Sequence, residues 1–168
     1  MLIYLIGFMG SGKSAKGKKL ANLLHYQFLD LDAFITEQTE MSIPAIFEKE
    51  GEDKFRQMES EALKQTALLS NTVIATGGGA PCFNQNMELI KKSGVSVYLQ
   101  LSPDELYNRL INSHQKRPLI EGLEGKMLHD FISNKLKDRE PYYLMADYTI
   151  HAADLKPEEI IKVLNIEY

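Results

Sequence analysis

Apolar residues gather in five short runs, and each run gives way to a stretch whose apolar positions recur at helical spacing. The runs Leu2–Ile6, Gln27–Leu31, Thr72–Ala75, Val95–Leu101 and Tyr148–His151 predict strands. Helices are predicted over Lys13–Leu24, Asp32–Thr39, Ile43–Lys49, Asp53–Leu69, Asn84–Lys92, Pro103–Asn112, Lys126–Tyr143 and Pro157–Leu164. Strands that alternate with helices imply βαβ units and a parallel sheet covered on both faces. Ser102-Pro103-Asp104-Glu105 opens its helix with a capping residue, a proline and two acids. Pro141 ends or kinks the last long helix near its C-terminus. Residues 113–125, "SHQKRPLIEGLEG", follow neither period. They read as a mobile covering loop or as a plain surface loop. Without repeats, low-complexity tracts or linkers, residues 1–168 are expected to form a single domain.

Composition narrows the partners. Net charge is −4 with no long basic run, so the footprint of a nucleic-acid binder is missing. The five-residue run Leu2–Ile6 is too short for a signal peptide or a membrane span and reads as a buried first strand. Cys82 is the single cysteine, which forbids an internal disulfide and suits a reducing, cytoplasmic compartment. Nothing in the pattern argues for a stable dimer, so a monomer is the default expectation. Of 19 basic residues only four are arginine: Arg56, Arg109, Arg117 and Arg139. Arginine is the side chain suited to bidentate grip on carboxylate and phosphate, so the place of each one matters.

Gly7-Phe8-Met9-Gly10-Ser11-Gly12-Lys13-Ser14 matches G-x-x-x-x-G-K-[ST], with a predicted strand before it and a predicted helix after it. Such a loop turns backbone N–H groups around phosphate oxygens, and the helix N-terminus adds positive charge. Lys13 is placed to reach the β- and γ-phosphates, and the Ser14 hydroxyl to ligate Mg2+. This points to ATP or another nucleoside triphosphate. It does not choose between kinase, hydrolase and switch.

Candidates for the second substrate follow. Asp30 and Asp32 are expected on one face of the second strand, at its C-terminal end. One carboxylate can serve Mg2+ through water and the other a substrate hydroxyl, or Asp32 can cap the next helix. On the following helix the apolar arc holds Phe55, Met58, Ala62 and Leu69, with Glu59 at its edge and Arg56 just beyond. Arg56 and Glu59 form either a solvated pair or a pair that aims the guanidinium at an anion. Gly77-Gly78-Gly79 leaves the third strand and suits close approach of a ligand to the backbone. Arg139 lies within about 20° of Leu128 on an apolar stripe that also carries Ile132 and Leu136. A guanidinium there needs an anion, either an internal acid or a bound carboxylate. The four histidines have no metal-ligand spacing, and Tyr142-Tyr143 reads as packing.

In this order "GFMGSGKS", "DLD", "FRQME", "TGGGA", "RPL" and "DREPYY" resemble the shikimate kinases over nearly the whole chain. The resemblance implies a P-loop kinase of three layers around a central five-stranded parallel sheet, with a mobile lid near 113–125. It implies transfer of the γ-phosphate of ATP to the 3-hydroxyl of shikimate, with Mg2+ held through Ser14 and Asp30. Gly10, Ser11, Gly12, Lys13, Ser14 and Ala15 would bind the nucleotide, and Arg109 and Pro157 would sandwich adenine. Asp32 would be the candidate base, Arg56 and Arg139 would clamp the shikimate carboxylate, and Glu59 would orient Arg56. Gly77, Gly78 and Gly79 would line the acceptor ring, and Arg117 would descend with the lid onto phosphate. Gluconate or a nucleoside monophosphate is the alternative acceptor, and a switch without turnover is a third reading.

Overall fold

The structure, a computed structural model, describes residues 1–113 and 118–166. All five predicted strands form: β1 (Leu2–Ile6), β2 (Gln27–Asp30), β3 (Thr72–Ala75), β4 (Val95–Gln100) and β5 (Tyr148–His151). They pair in parallel in the order β2-β3-β1-β4-β5. β1, β3 and most of β4 are buried, which is why their runs are apolar without alternation. The edge strands β2 and β5 are more exposed and carry polar residues.

Seven α-helices stand among the described residues: α1 (Lys13–Leu24), α2 (Leu31–Thr39), α3 (Ile43–Thr66), α4 (Asn86–Ser93), α5 (Pro103–Ile111), α6 (Gly125–Tyr143) and α7 (Pro157–Leu164). The step from β1 to β2 runs one way across the sheet, and every later step runs the other way. Right-handed crossovers therefore put α1 on one face and α2 to α6 on the opposite face. α7 packs against α1 and completes that layer. The result is the expected three-layer arrangement. Inside α1, Gly17 lets the helix sit close to the sheet, since a Cβ there would lie 2.6 Å from Phe28 Cε2.

Several predicted boundaries shift. The two helices expected over Ile43–Lys49 and Asp53–Leu69 both form, joined across a kink at Gly51 (φ 80°, ψ 168°), but the second ends at Thr66 and not at Leu69. β2 stops at Asp30, because Asp30 turns the chain into α2. β4 ends at Gln100, one residue before the predicted Leu101. α4 starts two residues late, because Asn84 and Gln85 both take left-handed backbone angles. Pro141 sits within the last turn of α6, which ends at Tyr143.

The buried arc of α3 also differs from the apolar one. Met58 is only half-buried and Leu69 exposed, while Arg56, Glu59, Ser60, Leu63 and Thr66 turn inward. Two charged residues thus occupy the inner face of the helix.

Candidate active site

β1 is central, and the order of connections reverses around it, so a crevice opens beyond its C-terminal end. The glycine-rich loop fills one side of that crevice. Gly12 caps α1 with φ 90°, a left-handed conformation that favours glycine. Lys13 is buried, and its Nζ donates to Gly7 O at 2.8 Å and Phe8 O at 2.9 Å. The lysine therefore folds back over the loop. Ser11 is fully buried, and its Oγ has no hydrogen-bond partner among the described residues. A buried hydroxyl of that kind suits a polar ligand in the loop.

Asp30 ties the cradle to α2. Its carboxylate accepts from the N–H groups of Asp32 (3.1 Å) and Ala33 (3.3 Å), capping the helix, and from Ser14 Oγ at 2.5 Å. This corrects two expectations. The capping acid is Asp30 and not Asp32, and the two carboxylates do not share a strand face, because Asp32 stands in the first turn of α2. They still converge on the crevice by different routes. The serine hydroxyl and Asp30 carboxylate form a small hard-oxygen set, which fits Mg2+ that keeps most of its ligands from water and phosphate. No cluster of three or more metal-ligating side chains exists among the described residues.

The other side of the crevice holds the arginines. Arg56 Nη1 donates to Glu59 at 2.6 Å, and Nη2 donates to Glu52 at 3.0 Å. The Arg56 guanidinium also lies 4.3 Å from the centre of the Phe83 ring. Arg56 and Glu59 are 7% and 1% exposed, so this is the aimed pair and not the solvated one. Burial pushes the Glu59 carboxyl up to about 7, against the pull of Arg56. The same pairing raises the Arg56 pKa despite its burial.

Arg139 does lie on the buried stripe of α6, with Leu128, Ile132, Leu136 and Tyr143. It is 6% exposed, and among the described residues no carboxylate stands within ion-pairing distance of it. Its guanidinium lies 5.6 Å from the centre of the Phe8 ring. Of the two partners open to it, no internal acid pairs with it directly among the described residues, and Glu59 acts on it only from beyond that distance. A buried cation in that setting suits a bound anion.

The three glycines are explained by these groups. A Cβ on Gly77 would lie 2.7 Å from Glu59 Oε1 and 2.8 Å from Asp32 Oδ1. One on Gly78 would stand 3.3 Å from Met9 N and 3.4 Å from Arg139 Nη1, and one on Gly79 would lie 2.5 Å from Arg56 Nη1. Gly77 presses its backbone against two carboxylates, and Gly78 and Gly79 each face one guanidinium. None needs a left-handed angle; close approach is the reason. Tyr143 Oη donates to Gly78 O at 2.5 Å and anchors the segment. Tyr143 is buried as packing predicts, whereas Tyr142 is exposed.

Arg109 is fixed on the outer side of the cradle. Its Nη1 donates to Ser11 O at 3.2 Å, and its Nη2 donates to Ala152 O at 3.1 Å and Ala153 O at 2.6 Å. These carbonyls belong to the loop and to the segment between β5 and α7, which Pro157 begins. Arg117 lies outside the described residues, as do the three residues before it. Glu52 and Tyr143 escaped the sequence reading as site-shaping residues. Both stand four positions from an arginine on the same helix, which was the signal available. His129 pairs with Asp104 and His151 with Glu105, as surface residues should. Burial pushes the Cys82 thiol up to about 11, which makes it a poor nucleophile.

A polyphosphate cradle that meets a glycine segment flanked by two buried arginines defines a P-loop phosphotransferase with a small anionic acceptor. The family model for shikimate kinase matches residues 9–166. The chain is 42% identical to a shikimate kinase of Bacteroides thetaiotaomicron over 154 residues, covering 92% of this chain and 88% of the relative. It is 41% identical to one from Caldanaerobacter subterraneus subsp. tengcongensis over 160 residues, covering 94% and 90%. A solved shikimate kinase from Bacteroides thetaiotaomicron superposes with a TM-score of 0.95, at 37% identity over 99% of both chains. One from Acinetobacter baumannii in complex with shikimate gives 0.86, at 37% identity over 98% of this chain and 93% of that one. The chain belongs to the shikimate kinase family.

Proposed function

We infer that the chain is an ATP-dependent shikimate kinase, moving the γ-phosphate of ATP to the 3-hydroxyl of shikimate and leaving ADP. The observation that carries the acceptor assignment is Arg139, a buried cation with no carboxylate at ion-pairing distance among the described residues. Arg56, held by Glu52 and Glu59, supplies the second donor for a carboxylate. Asp32 stands beside Gly77, where it can orient the acceptor hydroxyl and accept its proton. Lys13 neutralises charge on the transferring phosphate. The loop from Gly10 to Ala15 binds the polyphosphate through its N–H groups, and adenine lies between Arg109 and Pro157.

Ser14 and Asp30 would hold Mg2+, which screens phosphate charge when bound. Residues 113–125 act as the lid of a single 1–168 domain, with Arg117 closing on phosphate and water excluded. The chain works as a monomer in the cytoplasm. No helix among the described residues is long and apolar enough to cross a membrane. The test is ADP release with ATP and Mg2+ against shikimate, gluconate, AMP and CMP. Turnover with shikimate alone supports the reading. Turnover with another acceptor overturns the roles of Arg56 and Arg139.

A further inference from the structure

Lys16 stands one turn beyond Gly12, and its backbone N–H donates to Gly12 O at 2.9 Å. Helical side chains lean toward the N-terminus of their helix, so Lys16 leans toward the phosphate cradle. A Cβ on Gly12 would lie 3.5 Å from Lys16 Nζ and 3.4 Å from Arg109 Nη1. Two cations thus flank the residue that opens α1, where the helix already presents positive charge. Lys18 and Lys19, on the same helix, are exposed; Lys16 is half-buried. Among the described residues no carboxylate stands within ion-pairing distance of Lys16, and Asp154 acts on it only from beyond that distance. The Arg109 guanidinium is committed to carbonyl oxygens, which hold it in place without neutralising it.

Like charges brought together at a phosphate-binding loop are repaid by an anion between them. Lys13, Ser14 and Asp30 serve the side of the cradle nearest the acceptor basin. Lys16 and Arg109 stand on the outer side, toward the segment that leads to Pro157. We propose that Lys16, standing beside Arg109, grips the nucleoside-proximal phosphate of the nucleotide, a contact outside the G-x-x-x-x-G-K-S motif. This rests on the ATP reading of the cradle and is independent of the acceptor. It also gives Gly12 a second duty, since any side chain there would meet both cations.

The first test uses the unaltered chain. Its lysines are acylated with a limiting amine reagent, and the rate at Lys16 is compared with Lys18 and Lys19 by peptide mass spectrometry. Mg2+ with ADP should slow Lys16 about fivefold or more, and so should inorganic tripolyphosphate, because a charge-assisted hydrogen bond occupies the amine. Adenosine and shikimate should leave the rate unchanged. Protection by adenosine but not by tripolyphosphate would move Lys16 to the base and overturn the assignment, as would no protection by ADP. The second test is Lys16→Gln, which should raise the Kd for ADP about tenfold, the size of a partly exposed charge-assisted hydrogen bond. Lys16→Arg should restore most of the affinity. An unchanged Kd in Lys16→Gln would sink the proposal, whereas failure of the wild-type chain to bind ADP would sink the kinase reading itself.

Discussion

Replacing Arg139 by methionine should lower acceptor affinity and leave fold stability nearly unchanged. The substitution keeps length and apolar bulk on the α6 stripe and removes the guanidinium. Truncating one partner of a buried, hydrogen-bonded charge pair costs about 2–5 kcal/mol. Arg56 still holds the acceptor carboxylate, so the low end applies: about 2–3 kcal/mol, or roughly 30- to 150-fold in the Kd for shikimate. ADP affinity should change by less than about twofold, since no part of the cradle is lost. The free protein should be nearly as stable. A buried cation with no carboxylate at ion-pairing distance among the described residues is replaced by an apolar side chain, a change that is near neutral for buried charges, with only the longer-range pull on Glu59 lost.

Arg56→Met supplies the contrast. It leaves Glu59 buried without its 2.6 Å partner, a loss of about 3 kcal/mol and roughly 6–12 °C in Tm for a chain of this size. Because the Glu59 carboxyl is already pushed up to about 7, it takes up a proton readily once Arg56 is gone. The loss should therefore be larger at pH 8 than at pH 6. Calorimetric titration with shikimate and thermal unfolding of the free variants read both quantities. If Arg139→Met lowers Tm as much as Arg56→Met does, Arg139 serves an internal anion and the reasoning fails. A shikimate Kd within about threefold of wild type would refute it equally.

Gly79→Ala should press a methyl onto Arg56, raising the shikimate KM about tenfold or more while the ATP KM holds; equal change in both would refute the close-approach account. Asp30→Ala should cost about 1 kcal/mol through the lost cap of α2 and weaken Mg2+ about tenfold, whereas Asp30→Asn should keep the cap and lose the metal effect. Unfolding free energies and Mg2+ titrations of the two variants separate these contributions. The raised pKa of Glu59 means that the folded chain binds more protons than the unfolded one between about 4.5 and 7. Its contribution to stability is thus full below that window and lost as pH rises through it. Wild type minus Glu59→Gln, measured by denaturant unfolding from pH 4 to 8, should fall across the window, and a rising difference would contradict the burial argument.

Much of this molecule is written locally. Short apolar runs set between stretches of helical period, with Gly, Pro and capping residues between them, placed all five strands, because they report on burial of a residue together with its near neighbours. The phosphate cradle was legible for the same reason: its glycines, Lys13 and Ser14 lie within eight residues of each other. The stripe that carries Arg139 was legible too, but its meaning was not. Whether that guanidinium meets an internal acid depends on which distant parts of the chain pack against α6, and only the fold decides that. Asp30 and Asp32 look equivalent in sequence. The turn from β2 into α2 hands one of them the helix cap and the serine, and leaves the other beside Gly77. The inner face of α3 was misjudged because apolarity marks a core and not a ligand basin, where buried charge is retained. Arg109 and Lys16 meet at Gly12 only because α5 crosses the glycine-rich loop. Local sequence determined the elements and the cradle; desolvation and long-range charge pairing, which exist only after folding, decided what each arginine is for.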